Sequence, residues 1–322
     1  MRRLPIYLLG VLCVQIVLAL VIYWHNNQQT ESHQSQPLLS FDQNTLDKIV
    51  IMGPSETVTL SKHASDDNES RWTLTNLNKL PVSQTQLDSA LEKLAGLTTN
   101  WPIATTPSSH QRFELQDDNF QRRIQLFQGE NKVADLLLGS SPGFRKVHLR
   151  TLDDDNVYAL PLNTFYFPTT DEQWLDKTLL AIDDIKSIEG ADYRLLKTAD
   201  TWTLNALDKD KLIPLDQDKA IGLAKALSNL RVLEFVTEPP VFADASIKTL
   251  VIEGEQQQRY QLLEVDEKYY LKDEETGHVF SIGQTDYQRM TGVTLAGLTL
   301  SQPEPASETE PSITSKSVPP EI

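Results

Sequence analysis

The sequence predicts an α+β protein: a tandem repeat of two similar lobes, each an antiparallel sheet with a packed helix, preceded by one transmembrane helix. Three observations predict it. The chain opens on one long apolar run. Its middle spells the same strand-and-helix pattern twice. In each copy short acidic turns separate alternating strands, as in an antiparallel meander.

The apolar run extends from Ile6 to Trp24 and contains a single strongly polar residue, Gln15. As a helix at about 1.5 Å per residue it spans roughly 28 Å, close to a hydrocarbon core. Arg2 and Arg3 favour a cytoplasmic N-terminus, and Tyr23 and Trp24 suit the opposite interface. A cleaved signal peptide fits poorly, because no small-x-small site follows the run. A lipoprotein signal also fits poorly, since Cys13 sits mid-run after Leu12. Residues 1–25 therefore read as a signal anchor and 26–40 as a flexible polar tether. The expected location is a single-pass cytoplasmic-membrane protein with the bulk of the chain periplasmic.

The first repeat is expected over 41–168 and the second over 182–297, with a linking helix at 169–181. Strands at Leu46–Ile51, Val58–Lys62 and Arg71–Leu74 resemble those at Ile182–Ile188, Tyr193–Lys197 and Thr201–Leu204. A helix follows in each copy. In the first, Leu87, Leu91, Leu94 and Leu97 share a face, and Ser83 with Gln86 forms a capping box. In the second, Asp216 is the N-cap candidate, ahead of a face of Ala220, Ile221, Ala224, Leu227 and Leu230. Later strands at Ile124–Phe127, Ala134–Leu138, Lys146–Arg150 and Asn156–Leu160 match those at Leu250–Ile252, Tyr260–Leu263, Lys268–Lys272 and His278–Ile282. The Pro/Ser/Thr/Glu-rich stretch 298–322 cannot bury enough apolar surface to fold and reads as a disordered tail.

Composition narrows the chemistry. The chain has 45 acidic and 29 basic residues, a net charge of −16. Such a surface repels phosphate backbones, so no nucleic acid is expected as a partner. Its one cysteine lies in the apolar run, which leaves the rest without a thiolate. There is no G-x-x-x-x-G-K-[ST] pattern for ATP.

Individual motifs read mostly as structure. Gly139-Ser140-Ser141-Pro142-Gly143 matches G-x-S-x-G. That elbow needs a strand entering and a helix leaving, and here a second strand leaves, so a hairpin loop is favoured over a catalytic Ser141. Asp153-Asp154-Asp155 lacks the glycine and glutamate of a calcium loop. Asp208-Lys209-Asp210 likewise lacks the glycine. No two of His25, His33, His63, His110, His148 and His278 have metal-ligand spacing. Trp72 and Trp202 stand at equivalent places, either on an exposed ligand platform or, as duplication favours, each sealing a core. No catalytic residue, cofactor or metal is assigned. Two segments mix aromatics with prolines: Phe165-Tyr166-Phe167-Pro168 and Pro239-Pro240-Val241-Phe242. They read either as packing between lobes, which burial statistics favour, or as a partner-binding surface of Phe165, Tyr166, Phe167 and Phe242.

An anchor followed by Leu46-Asp47-Lys48-Ile49-Val50-Ile51, Arg71-Trp72-Thr73-Leu74, Leu80-Pro81-Val82-Ser83, Asp135-Leu136-Leu137-Leu138-Gly139 and Trp174-Leu175-Asp176-Lys177-Thr178-Leu179-Leu180 resembles domain-of-unknown-function family 4340 over roughly residues 40–295. Relatives are associated with gliding-motility-type ABC transporter auxiliary proteins. The resemblance implies a non-enzymatic envelope accessory role and supplies no catalytic residues. The expected partner is a membrane subunit of an envelope complex, such as an ABC transporter permease. The alternatives are an extracytoplasmic small-molecule or glycan-binding module and, behind it, a serine hydrolase using Ser141.

Overall fold

The computed structural model describes residues 15–17, 36–64, 70–99, 101–199, 201–207, 209–242 and 247–300. The anchor lies outside the described residues except for Gln15, Ile16 and Val17, which are helical. Among the described residues no helix is long and apolar enough to cross a membrane. The chain divides into two units, Met1–Leu179 and Leu180–Ile322.

The first unit is built from β1 (Lys48–Met52), β2 (Thr57–Ala64), β3 (Ser70–Leu74), β4 (Leu80–Pro81), α1 (Gln84–Ala95), the hairpin β5 (Leu115–Gln116) and β6 (Asn119–Phe120), then β7 (Arg122–Gln128), β8 (Asn131–Leu138), β9 (Val147–Thr151), β10 (Tyr158–Leu160) and α2 (Asp171–Trp174). Among the described residues its main sheet has eight antiparallel strands in the order β10-β9-β8-β7-β1-β2-β3-β4. Period-two alternation sets the register. Ile49 stands opposite Leu60 and Leu126, and Leu60 opposite Leu74, so four buried side chains form one row across four strands. A second row joins Leu136, Ile124, Ile51 and Val58. Around β8 and β9 the sheet is covered on its other face too, by Phe113, Leu115 and Val157 against Leu137.

That doubly covered region contains a charged cross-strand network. Gln125 faces Asp135 across β7 and β8. Arg123 grips the Asp135 carboxylate with two bonds, Nε to Oδ1 at 2.9 Å and a terminal nitrogen to Oδ2 at 2.8 Å. Gln125 Nε2 donates at 2.9 Å, and Lys132 also pairs with it. Burial raises the Asp135 pKa, but the bonds from Arg123, Lys132 and Gln125 outweigh it and hold the group at about 2.

The second unit contains β11 (Ser187–Glu189), β12 (Tyr193–Thr198), β13 (Thr201–Ala206), β14 (Lys209–Ile213), α3 (Gln217–Ser228), β15 (Val232–Phe235), β16 (Lys248–Glu253), β17 (Gln257–Val265), β18 (Lys268–Asp273), β19 (Val279–Ile282), α4 (Gln284–Thr291) and α5 (Leu295–Leu298). Its sheet has nine strands among the described residues, in the order β14-β13-β12-β11-β16-β17-β18-β19-β15. Ile188 faces Leu195 and Ile252, and Leu195 faces Leu204, again a buried row. Gln217 at the start of α3 brackets the backbone of Trp202, accepting from its N–H and donating to its C=O. A helix side chain thus takes the place of a neighbouring strand for those two groups.

Several expectations are corrected. The linking helix stops at Trp174, because the following chain is held in other ways. The Leu175 backbone bridges to Val82, Asp176 N–H donates to Pro81 O, and the Asp176 carboxylate folds back on the N–H and hydroxyl of Thr178. The capping box does not form: Ser83 is the N-cap of α1 without a side-chain cap bond, and its N–H donates to Trp174 O. Asp216 likewise makes no cap bond and meets Lys219 Nζ at 3.5 Å. The buried face of α3 is Ala220, Leu223, Ala226 and Leu227, which turns Ile221 outward. The tether ends earlier than expected, since Leu38 N–H donates to Leu97 O and Thr99 N–H to Gln36 O. The folded region runs on to Leu300, whose N–H donates to Pro214 O.

Candidate docking surface

Two neighbouring loops of the first unit bring exposed aromatics together. One is the connection from β8 to β9, Gly139 to Lys146. The other is the 3-10 turn Thr164–Tyr166, capped by the Asn163 side chain, which accepts from Phe165 N–H at 3.0 Å. α1 lies against this turn. Its inner face, Leu87, Ala90, Leu91 and Leu94, is buried. Each of those leucines contributes roughly 1.5–3 kcal/mol, so the helix is a firm support. Its Lys93 extends over the Tyr166 ring, 5.8 Å from the centroid.

Exposure separates the four aromatics that the sequence singled out. Phe165 is 86% exposed and Tyr166 38%, both available to a partner. Phe167 is 2% exposed and belongs to the core, so its partner-binding reading is overturned. It follows directly after the 3-10 turn as its C-cap, and its carbonyl accepts from Arg122 Nε at 2.9 Å. Phe242 lies in the second unit, half-buried beneath Lys272 Nζ at 5.7 Å, so it does not join the others in one surface of the first unit.

Phe144, which sequence reasoning missed, is 84% exposed. Phe144 and Phe165 line one cleft of about 510 Å³ together with Arg145 and Lys146. Phe165 also lines a second cleft of about 570 Å³ with Tyr166, Arg145 and Lys93. Arg145 therefore borders both clefts, and it lies over the Phe144 ring at 4.7 Å. The available signal was the run Phe144-Arg145-Lys146 straight after the Pro142-Gly143 turn, where no core packs against a loop tip.

The serines of this loop are held structurally. Ser141 Oγ donates within the loop, to Gly143 O at 2.8 Å or Lys146 O at 2.7 Å. Ser140 meets a histidine, with Oγ 3.0 Å from His148 Nδ1. Ser140 Oγ also lies 3.2 Å from Phe113 O, so its one proton has two acceptors within reach, that carbonyl and the imidazole. Burial is the main reason His148 titrates below the ordinary histidine value, with Arg112 adding to it, and the ring tilts against Phe113 at 4.6 Å. Gly139 is fixed by close approach: a Cβ there would lie 2.0 Å from Phe113 O.

The other motifs are placed as follows. Trp72 and Trp202 are buried, at 6% and 5% exposure. Asp154 accepts from Asn156 N–H at 3.0 Å in the turn before β10. His110 is buried and its Nε2 lies 3.0 Å from Asp155 O. Among the described residues no three His, Cys, Asp or Glu side chains gather to hold a metal. His25, His33 and Asp208 lie outside the described residues.

The fold and this surface define a class: an antiparallel α+β protein of two units, with an aromatic and basic loop surface on the first. The family described as Domain of unknown function (DUF4340) matches residues 72–248, and the chain belongs to it. The match runs from Trp72 in β3 to Lys248 at the start of β16, so it draws on both units. No curated protein and no solved structure matches the chain.

Proposed function

We propose that this protein is a membrane-anchored, extracytoplasmic accessory protein that binds another envelope protein and performs no catalysis of its own. The observation that carries this reading is the pair of aromatics at neighbouring loops, Phe144 and Phe165, each more than four-fifths exposed. Exposed aromatics scattered singly are ordinary, whereas aromatics grouped beside clefts are the kind of surface that partners cover. The apolar run Ile6–Trp24 supports the anchor, and Arg2 and Arg3 support its orientation. The family resemblance suggests a transporter membrane subunit as the partner.

The two units are further proposed to be copies of one ancestral unit. In support, each sheet places its first four strands outward from a centre where β1 pairs with β7, or β11 with β16. The row Leu126–Ile49–Leu60–Leu74 occupies the same strand positions as Ile252–Ile188–Leu195–Leu204.

The test is a photo-crosslinking amino acid at Phe165 of the anchored chain in intact membranes. A stoichiometric partner crosslinked from position 165, and absent when the probe replaces the exposed Leu212 of the second unit, is the expected outcome. Failure to capture any partner from position 165 under several growth conditions would refute the reading.

A further inference from the structure

The charge around Phe165 is opposite to that of the whole protein. The chain carries −16, yet Arg145, Lys146 and Lys93 border the two clefts. Among the described residues none of these three is in an ion pair. Among the described residues that line the clefts the one carboxylate, Glu114, is turned to Gln121, whose Nε2 donates to it at 2.7 Å. Solubility explains a surplus of acids over the surface and does not explain three cations, outside any ion pair among the described residues, gathered beside two exposed phenylalanine rings. Within a Debye length of about 8 Å such a local cluster governs what approaches.

We infer that this surface binds an extended acidic segment of a partner protein, one that alternates carboxylates with large apolar side chains. The inference rests on the proposed accessory role and names the partner's chemistry. Apolar side chains would fill the clefts on either side of Phe165, and carboxylates would meet Arg145, Lys146 and Lys93. Arginine suits the central position because its planar fork can hold a carboxylate with two bonds. The two clefts favour a chain with protruding side chains over a lipid surface, which offers nothing shaped to enter them.

The test uses the full chain in neutral detergent and a short fluorescein-labelled peptide alternating glutamate with phenylalanine, read by fluorescence anisotropy. Binding is expected, weakening as salt rises. Arg145→Glu and Phe165→Ala are each expected to weaken it about tenfold or more, as buried anchor positions do. Lys93→Glu provides a second charge variant on a separate element. Equal binding of the same peptide with lysine in place of glutamate would overturn the inference. So would displacement of the acidic peptide by short-chain phosphatidylglycerol but not phosphatidylcholine, which would give the surface to a lipid headgroup. A tenfold gain in affinity on truncation after Leu300 would also overturn it, because the occupant would then be the chain's own acidic tail. A crosslinked partner at position 165 together with no peptide binding would sink this inference and leave the accessory role standing.

Discussion

Removing the charge of Asp135 tests the network between β7 and β8. Asp135→Asn keeps the size and one acceptor oxygen but leaves Arg123 and Lys132 without their counter-charge. The carboxyl titrates at about 2 in the folded protein, against an ordinary aspartate value near 3.9. That difference corresponds to about 2.5 kcal/mol favouring the folded state when the group is ionised. The Asp135 side chain is only 4% exposed, so solvent screening does not reduce this much. Arg123 and Lys132 are 19% and 37% exposed, so each regains some water in the variant. The expected loss at neutral pH is therefore about 2–3 kcal/mol, short of the 3–5 for a fully buried broken pair. The folded-state value is depressed, so the stabilisation is present above the unfolded value and disappears as pH falls from about 4 through 2. Urea unfolding followed by the fluorescence of the unit's tryptophans gives the comparison. The midpoint of the variant should fall by about 1 M at neutral pH and converge on the parent's near pH 2. A midpoint difference that stays the same at both pH values would refute the electrostatic account.

Three further outcomes follow from single contacts. Gly139→Ala would drive a Cβ to 2.0 Å from the Phe113 carbonyl, which is backbone and cannot swing away, so thermal unfolding should show a loss of 2 kcal/mol or more. Two buried tyrosines should part company in urea titrations: Tyr260 donates to Leu180 O at 2.9 Å, so Tyr260→Phe costs about 1 kcal/mol, whereas the Tyr193 hydroxyl has no partner among the described residues and Tyr193→Phe is neutral or stabilising. Ser141→Ala removes only a hydroxyl bond inside an exposed loop, so stability should change by under about 1 kcal/mol and cells carrying the variant should behave as the parent does.

Runs that alternate strictly, such as Lys48–Met52 and 201–204 of β13, are legible because one buried face sets their register. The inner face of α1 was legible for the same reason, its leucines standing alone among polar residues. In α3 the apolar residues cover more than half the circumference. Ala220, Ile221, Leu223, Ala224, Ala226 and Leu227 admit two stripes, and contacts with α4 and β13 select one of them. The caps were not legible, because a backbone bond from Ser83 to Trp174 depends on chain more than eighty residues away. Strands β4, β5 and β6 have two residues each, too short for any period to show. At the candidate surface the sequence marked an aromatic cluster but not which rings face water.

That last distinction can be tested, because Phe165 and Phe167 are two residues apart and have opposite environments. A comparable connection in the second unit shows how little the fold itself requires. The turn from β17 to β18 is made by Asp266 and Glu267 alone, both at positive φ of 50° and 60°, as a tight two-residue hairpin demands. The turn from β8 to β9 joins antiparallel neighbours in the same way but spends eight residues, Gly139 to Lys146, and places Phe144 at its exposed part. If that length served folding, Phe144 would be packed. Phe144→Ser and Phe165→Ser together should therefore leave the unfolding free energy from urea titration within about 0.5 kcal/mol of the parent's, as surface substitutions do. Phe167→Ala, emptying a site that is 2% exposed, should cost about 3–5 kcal/mol. A loss above 2 kcal/mol in the double serine variant would place those rings in the fold's own packing and remove the observation on which the docking surface rests.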